Sequence, residues 1–491
     1  MGRQGLTGAA VGVRAAIILM MGAFVAGCAS PGQENFLHDA EKALGTDTAL
    51  YQKLHRVAHY PTGLTFNFSG YLIGVEKSPR ESVTGDEKEI TDLFKSLSAE
   101  YPIDEPVMDE IKRLLSERKA IYPTHIVRYR ADAADASPGR VVPCFTYLAY
   151  GSPKEIRMCP SGKNKPSNPA DGWPASAWKD GIQAIRDLDG HITDDIEKAK
   201  KPDTETKKPA RPYTHILVYI MGWNTAQEEA VRNFNSLVGE LLTAVPAEDR
   251  GRFHPLVIGV SWPSLWDWSD RPILSGFDFL VKAISYGTKA NDADEVGLVP
   301  VNVLLHQVLR PIKSKFLEDK LKIVVIGHSF GARVASRAAY SGDALKPPGD
   351  SEGTVDLLIG LQGAFSVNRF MAGKGREGAP YQIHTKVKRV VLTASAADEA
   401  VATSFWAETA GDIESYVNAC RDHPDLFDCR KVNKKGEWVD GSPEPSDQRV
   451  VYVNASELIS NNASGTGGGA HSDIYRFQMG RFVWQLIEDI H

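Results

Sequence analysis

Gly327-His328-Ser329-Phe330-Gly331 sets a serine between two glycines at the spacing of a nucleophile elbow. A serine on a tight strand-to-helix turn has its hydroxyl exposed, and the turn brings the positions two before and two after it together. Only small side chains fit there, which accounts for Gly327 and Gly331. The residues before the turn, Ile323 to Ile326, are β-branched throughout and read as a strand covered on both faces. The residues after it carry Ala332, Ala335, Ala338 and Ala339, a helix able to lie close on a sheet. The free N–H groups at the start of that helix would point at a developing oxyanion. His328 is too close to Ser329 in sequence to act as its base, and its side chain should point away.

The chain has 491 residues and a formal net charge of −6, with no dominant basic tract, which argues against nucleic acid as a partner. Arg3 and Arg14, an apolar run from Ala15 to Ala26 and then Gly27-Cys28 read as a secretory leader over residues 1–27. Val25-Ala26-Gly27-Cys28 is similar to the lipobox of bacterial lipoproteins, in which the cysteine is lipidated and becomes the new N-terminus. Ala29 and Ser30 follow, without an aspartate in the retention position. By that resemblance the expectation is a lipid anchor on Cys28 and a place in the bacterial cell envelope, at the outer membrane facing the periplasm.

Four further cysteines, in an oxidising compartment, suggest two disulfides with three possible pairings. Proximity favours Cys144–Cys159 and Cys420–Cys429. Zinc held by Cys420, His423 and Cys429 fits no common finger spacing, and no metal or other cofactor is expected.

Strand patterns at Leu64–Phe68, Tyr71–Val75, Ile126–Tyr129, Val141–Tyr150 and Glu155–Met158, with helical spacing at Ile90–Leu97 and Val107–Lys119, predict a small α+β module over residues 28–180. Residues 181–212 read as a polar-faced helix over Ala184–Lys198 and a charged, Pro-rich linker. From 213 to 491 strands and helices alternate, with strands at Ile216–Ile220, Leu256–Ser261, Leu357–Leu361, Val387–Thr393 and Arg449–Asn454 beside the elbow strand. Such alternation predicts right-handed crossovers and a mostly parallel sheet.

In this second region the chain resembles the α/β-hydrolases, and among them a group of lipase-like bacterial serine hydrolases. The resemblance rests on Ile220-Met221-Gly222-Trp223-Asn224 as a strand running into an oxyanion loop, Val260-Ser261-Trp262-Pro263-Ser264, the elbow itself, Thr393-Ala394-Ser395-Ala396-Ala397-Asp398 and His471-Ser472-Asp473-Ile474-Tyr475. Met221 stands where many hydrolases have histidine in the oxyanion loop. The hydrolase triad runs in the chain order serine, acid, histidine, here Ser329, Asp398 and His471. His471 would take the Ser329 proton, and Asp398 would fix the imidazole tautomer. Glu399 and Asp412 are nearby rivals for the acid. The backbone N–H groups of Phe330 and Trp223 would form the oxyanion hole. Trp262, Trp266, Trp268, Phe277 and Phe279 read equally as an acyl pocket or as core.

The resemblance implies a serine esterase or lipase acting on a carboxylic ester or lipid. A peptidase or thioesterase would suit the same triad. A catalytically silent envelope lipoprotein that uses the fold for binding or scaffolding is the alternative from another class.

Overall fold

The structure, a computed structural model, describes residues 68–77, 121–130, 144–149, 155–158, 177–202, 209–222, 227–262, 264, 290, 292–341, 353–371, 387–402, 408–439, 441, 450–462 and 469–490. Cys28 and the leader, the expected strand residues 64–67 and the expected helices at 90–97 and 107–119 lie outside these residues.

Among the described residues, eleven strands form one sheet. In chain order these are β1 (Gly70–Lys77), β2 (Ile121–Arg130), β3 (Cys144–Ala149), β4 (Glu155–Met158), β5 (His215–Ile220), β6 (Pro255–Ser261), β7 (Lys322–His328), β8 (Val355–Leu361), β9 (Val387–Ala394), β10 (Phe427–Lys431) and β11 (Val450–Asn454). Their spatial order is β10-β11-β9-β8-β7-β5-β6-β1-β2-β3-β4. The first eight of that order are parallel, and β2, β3 and β4 close the sheet antiparallel. The central strands are buried along nearly their whole length. That is the physical reason for their unbroken Val/Ile/Leu runs, since helices cover both faces of such a sheet.

The strands of the front region do not make a sheet of their own. β1 pairs parallel with β6, Leu72 opposite Gly259 and Ile73 opposite Val260, and β2 to β4 extend outward from it. Helix α1 (Ala177–Ala199) fastens this extension. Its Asp195 accepts the Tyr71 hydroxyl at 2.6 Å and a forked pair of bonds from Arg128. Burial, then the neighbouring Asp195 charge, pushes the Tyr71 hydroxyl pKa up, so the phenol keeps its proton as a donor.

From β5 the chain crosses through α2 (Gln227–Ala244) to β6 on one side, then returns through the helical run α3 (residues 292–315) to β7 on the other side of β5. With right-handed crossovers, this reversal puts α2 on one face and both α3 and α4 (Phe330–Tyr340) on the opposite face. α4 is buried along its whole length, as its alanines allow. α3 lies between α1 and α4 and is buried from residue 292 to 309. Two stretches of α3, Gly297–Val301 and Leu304–Leu309, are π-helical, and Pro300, which lacks an N–H, sits in the first. Gly297 lets α3 close on α4: a methyl there would stand 2.8 Å from the Val334 carbonyl oxygen. Inside this seam Asp294 binds Arg333 and Arg337 of α4 and Arg369 beyond β8. Burial alone would push the Asp294 carboxyl up, but the three guanidiniums outweigh it and hold it well below the usual carboxylate range.

Two elements carried no strong sequence signal. β10 is a five-residue edge strand only partly buried, and α6 (Phe477–Glu488) follows the histidine loop and packs on α2. α5 (Ile413–Asp422) lies between β9 and β10.

Candidate active site

The chain reverses direction between β5 and β7, so the crevice at their carboxyl ends is the topological switch point where open parallel sheets bind ligands. Ser329 follows β7 there. Its backbone is left-handed, φ 57° and ψ −124°, in a residue that is not glycine. Backbone bonds hold the turn: Ser329 N–H donates to the Leu361 carbonyl at 2.9 Å, and the Ser329 carbonyl accepts from Ala332 and Ala364. The glycines work by contact. A methyl on Gly327 would stand 2.4 Å from the Gly331 carbonyl oxygen, and one on Gly331 would stand 2.2 Å from that of Ile220. Gly222, at the end of β5, lies against the serine itself, since its added methyl would meet Ser329 Cβ at 3.0 Å. Phe330 begins α4 and is fully buried. Trp223 lies outside the described residues.

Asp398 and His471 arrive on two loops stitched together by backbone. Asp398 bridges Gly469, and Ala470 N–H donates to the Ala397 carbonyl at 2.8 Å. Gly469 takes φ 61°, and a side chain there would strike that same carbonyl. His471 Nδ1–H donates to Asp398 Oδ2 at 2.7 Å. This leaves Nε2 as the ring's basic nitrogen. The Asp398 carboxylate is wholly buried and also accepts Gln362 Nε2–H at 2.6 Å on Oδ2 and Ala400 N–H at 3.0 Å on Oδ1.

His328 turns to the histidine loop rather than to Ser329. Its Nε2–H donates to the His471 carbonyl at 3.0 Å, and the two rings lie 4.8 Å apart. Burial, then the nearby His471 charge, pushes the His328 pKa down to about 3, so this ring stays neutral. A backbone carbonyl only accepts, which fixes the Nε2–H tautomer. Past His471, Asp473 accepts from Ser460 N–H, Asn461 N–H and Arg476, and so ties the loop down.

Asp412 caps α5 by accepting Glu414 N–H, and Glu399 packs its side chain beside Gly469. Trp262 belongs to the core, with its indole N–H donating to the Met221 carbonyl at 2.9 Å, just before Gly222. Trp266, Trp268, Phe277 and Phe279 lie outside the described residues. Cys420 and Cys429 are joined in a disulfide between α5 and β10, which removes them from any metal. Cys144 begins β3, whose next residue, Phe145, pairs with Met158; Cys159 lies outside the described residues. Among the described residues, no group of three or more His, Cys, Asp or Glu could hold a metal ion.

Little in the sequence marks Gln362. Its only local sign is a polar residue before Gly363 at the end of an apolar strand, and its partners lie 31 and 36 residues further on. The role of His328 toward His471 was equally out of reach.

No family model matches this chain, and no curated protein matches it in sequence. Two solved structures are similar to it. One is a Trichoderma reesei cutinase in complex with a C11Y4 phosphonate inhibitor, at 16% identity over 43% of this chain and 74% of the cutinase, with a TM-score of 0.17. The other is a metagenomic carboxyl esterase, at 12% identity over 62% of this chain and 90% of the esterase, with a TM-score of 0.21. Scores this low carry nothing about chemistry. On its own topology, with eight parallel strands and a serine turn at the switch point, the chain has an α/β-hydrolase fold.

Proposed function

We propose that this protein is a serine hydrolase that cleaves carboxylic esters with Ser329, His471 and Asp398. The observation that carries the reading is the buried Asp398–His471 hydrogen bond on the same sheet edge as a serine in left-handed backbone. In this reading His471 Nε2 takes the proton from Ser329 Oγ as that oxygen bonds to the ester carbonyl carbon. The imidazolium then passes the proton to the departing alcohol, leaving an acyl-serine. Water, deprotonated by the same ring, attacks the acyl carbon, and the ring returns that proton to Ser329 Oγ as the bond between that oxygen and the acyl carbon breaks and the acid is released. Phe330 N–H, at the start of α4, would donate to the carbonyl oxygen as it becomes negative, with Trp223 N–H as the second donor.

The leader and the Val25-Ala26-Gly27-Cys28 motif support a lipid anchor on Cys28 in a bacterial envelope, with an ester or lipid as substrate. An oxidising envelope compartment also suits a Cys144–Cys159 bridge, which the register of β3 against β4 supports.

The test is labelling by a fluorophosphonate together with hydrolysis of esters of graded acyl length. Wild type should label and turn over. Ser329→Ala should lose both, with a fall in kcat on the order of 10⁵- to 10⁶-fold and an unchanged circular dichroism spectrum. A folded wild type that neither labels nor hydrolyses any ester would leave the binding or scaffolding alternative standing instead.

A further inference from the structure

We infer that Gln362 is a positioning residue for the acid, its side-chain amide holding the Asp398 carboxylate in the orientation that receives the His471 ring. The inference rests on reading Ser329, His471 and Asp398 as a catalytic triad.

Gln362 is fully buried at the end of β8, and its backbone is left-handed, φ 49°. Among the described residues only Lys320, Ser329 and Gln362 carry a side chain at positive φ, and two of these three belong to this site. Such a conformation is disfavoured for any residue with a Cβ and is retained where the side chain is wanted. The wanted group here is the amide. Gln362 Oε1 accepts the Thr393 hydroxyl at 3.0 Å, and the Gln362 backbone N–H donates back to Thr393 Oγ1 at 3.0 Å. This closed pair orients the amide with Nε2 toward Asp398 Oδ2 at 2.6 Å. The Gly411 carbonyl lies at 3.4 Å from the same nitrogen. A carboxylate and a carbonyl both only accept, so the nitrogen must face them.

The oxygen that receives Gln362 is the one that receives His471 Nδ1–H. A neutral donor on Oδ2 stops the carboxylate from rotating under the ring. It also draws charge away from the oxygen facing the imidazole. Its loss would concentrate negative charge there and favour the imidazolium, so the acidic limb of kcat/KM should move to higher pH. His328 from the nucleophile turn lies against His471, and the other titratable groups of the neighbouring segments are Glu399 beside Gly469, Asp412 bridged through backbone to Ser395, Asp473 bonded to Asn461 N–H, and Tyr475 against His328. All of them stay in place in the variants below.

Gln362→Met keeps the volume and removes both polar atoms. It should lower kcat about 10²-fold with KM little changed, the signature of a misplaced catalytic group. The acidic limb should rise, and the far-downfield proton resonance of His471 Nδ1–H should shift or vanish. Gln362→Glu should recover part of the rate at pH values where the new carboxyl is protonated and can donate, and lose it as that carboxyl ionises. Should Gln362→Met fail to fold, Thr393→Val releases the amide while leaving Gln362 in place and carries the same expectations. Wild-type kcat, acidic limb and His471 resonance in a folded Met or Val variant would overturn the inference. A wild type without labelling or ester turnover would remove the hydrolase reading, and the His471 resonance would still decide whether Gln362 orients the acid.

Discussion

The two halves of the candidate site are built by different means. On the nucleophile side, Ser329 is set by steric exclusion around a strand, a forced turn and a helix, with Gly327 and Gly331 leaving no room for a methyl and Gly222 of the neighbouring strand end leaving only a tight space. On the acid and base side, local bonds are few, the Ala400 N–H to Asp398 among them, and most of the fixing is long-range. Asp398 and His471 sit on loops, and they are held by hydrogen bonds to Gln362, 36 residues away, and to each other across 73. The first half should break when an atom is added, and the second when a bonding atom is removed or replaced.

The largest effect expected from this contrast is on the acid. Asp398→Asn presents an amide to the Nδ1–H of His471 and favours the wrong tautomer, which should cost up to ~10⁴-fold in kcat. The thermal midpoint should barely move, because Asn fills the same space. Glu399→Gln and Asp412→Asn should be mild by comparison in the same assay. If Asp412→Asn proves inactive while Asp398→Asn turns over normally, the acid lies elsewhere.

On the nucleophile side the matching change is an addition. Gly222→Ala would put a methyl 3.0 Å from Ser329 Cβ and 3.2 Å from His328 Nδ1. A shift of the serine by a fraction of an ångström should lower kcat by about 10²-fold, read in the same ester assay. Equal activity in Gly222→Ala would show that β5 does not press on the nucleophile.

Next is the Cys420–Cys429 disulfide, which spans nine residues and braces α5 against the edge strand β10. Replacing both by serine should lower unfolding free energy by about 2–3 kcal/mol in urea titrations, and leave the rate of ester hydrolysis alone. A drop in rate would mean that the bracing reaches Asp398.

His328 joins the two halves, and it carries the smallest predicted effect. Its folded pKa of about 3 lies below its ordinary value of 6.5, so it is neutral in the folded chain while the unfolded chain takes up a proton below that ordinary value. The stability from this ring is therefore fully present above pH 6.5 and is lost as pH falls toward 3. The slope from one such group is at most ~1.4 kcal/mol per pH unit. His328→Gln keeps an N–H for the His471 carbonyl but cannot take up the proton. Its unfolding free energy should fall less steeply than wild type's between pH 7 and 5, and parallel slopes would contradict the assignment.

The same contrast explains what could be read from the sequence. Ile323 to Ile326, Gly327 and Gly331 are legible because the strand, turn and helix they form follow one another in the chain, although the carbonyl that a side chain on Gly331 would strike belongs to Ile220 on β5. Asp398 and His471 could be placed after strands in the right order, but Gln362, which holds the acid, could not, since Thr393, Gln362 and Gly411 meet only once β8 and β9 are side by side. β10 escaped notice because an edge strand needs no apolar run, and Phe427-Asp428-Cys429-Arg430-Lys431 shows none. The strands of the front region were found as strands, with Glu155–Met158 found to the residue. Their place in the sheet was hidden, because the pairing of Tyr71 with Ile258 leaves no mark near either residue.

That pairing has a practical consequence for anyone trimming the protein. A fragment starting at residue 213 would keep every residue assigned to the triad, yet β6 would lose the neighbour that covers its hydrogen-bonding edge. Pro255-Leu256-Val257-Ile258-Gly259-Val260-Ser261 would then lie at the rim with unpaired N–H and C=O groups, uncharged and strongly β-forming. Such rims template pairing with other copies. The fragment should therefore come out of expression as aggregate, its candidate-site residues intact and its solubility gone.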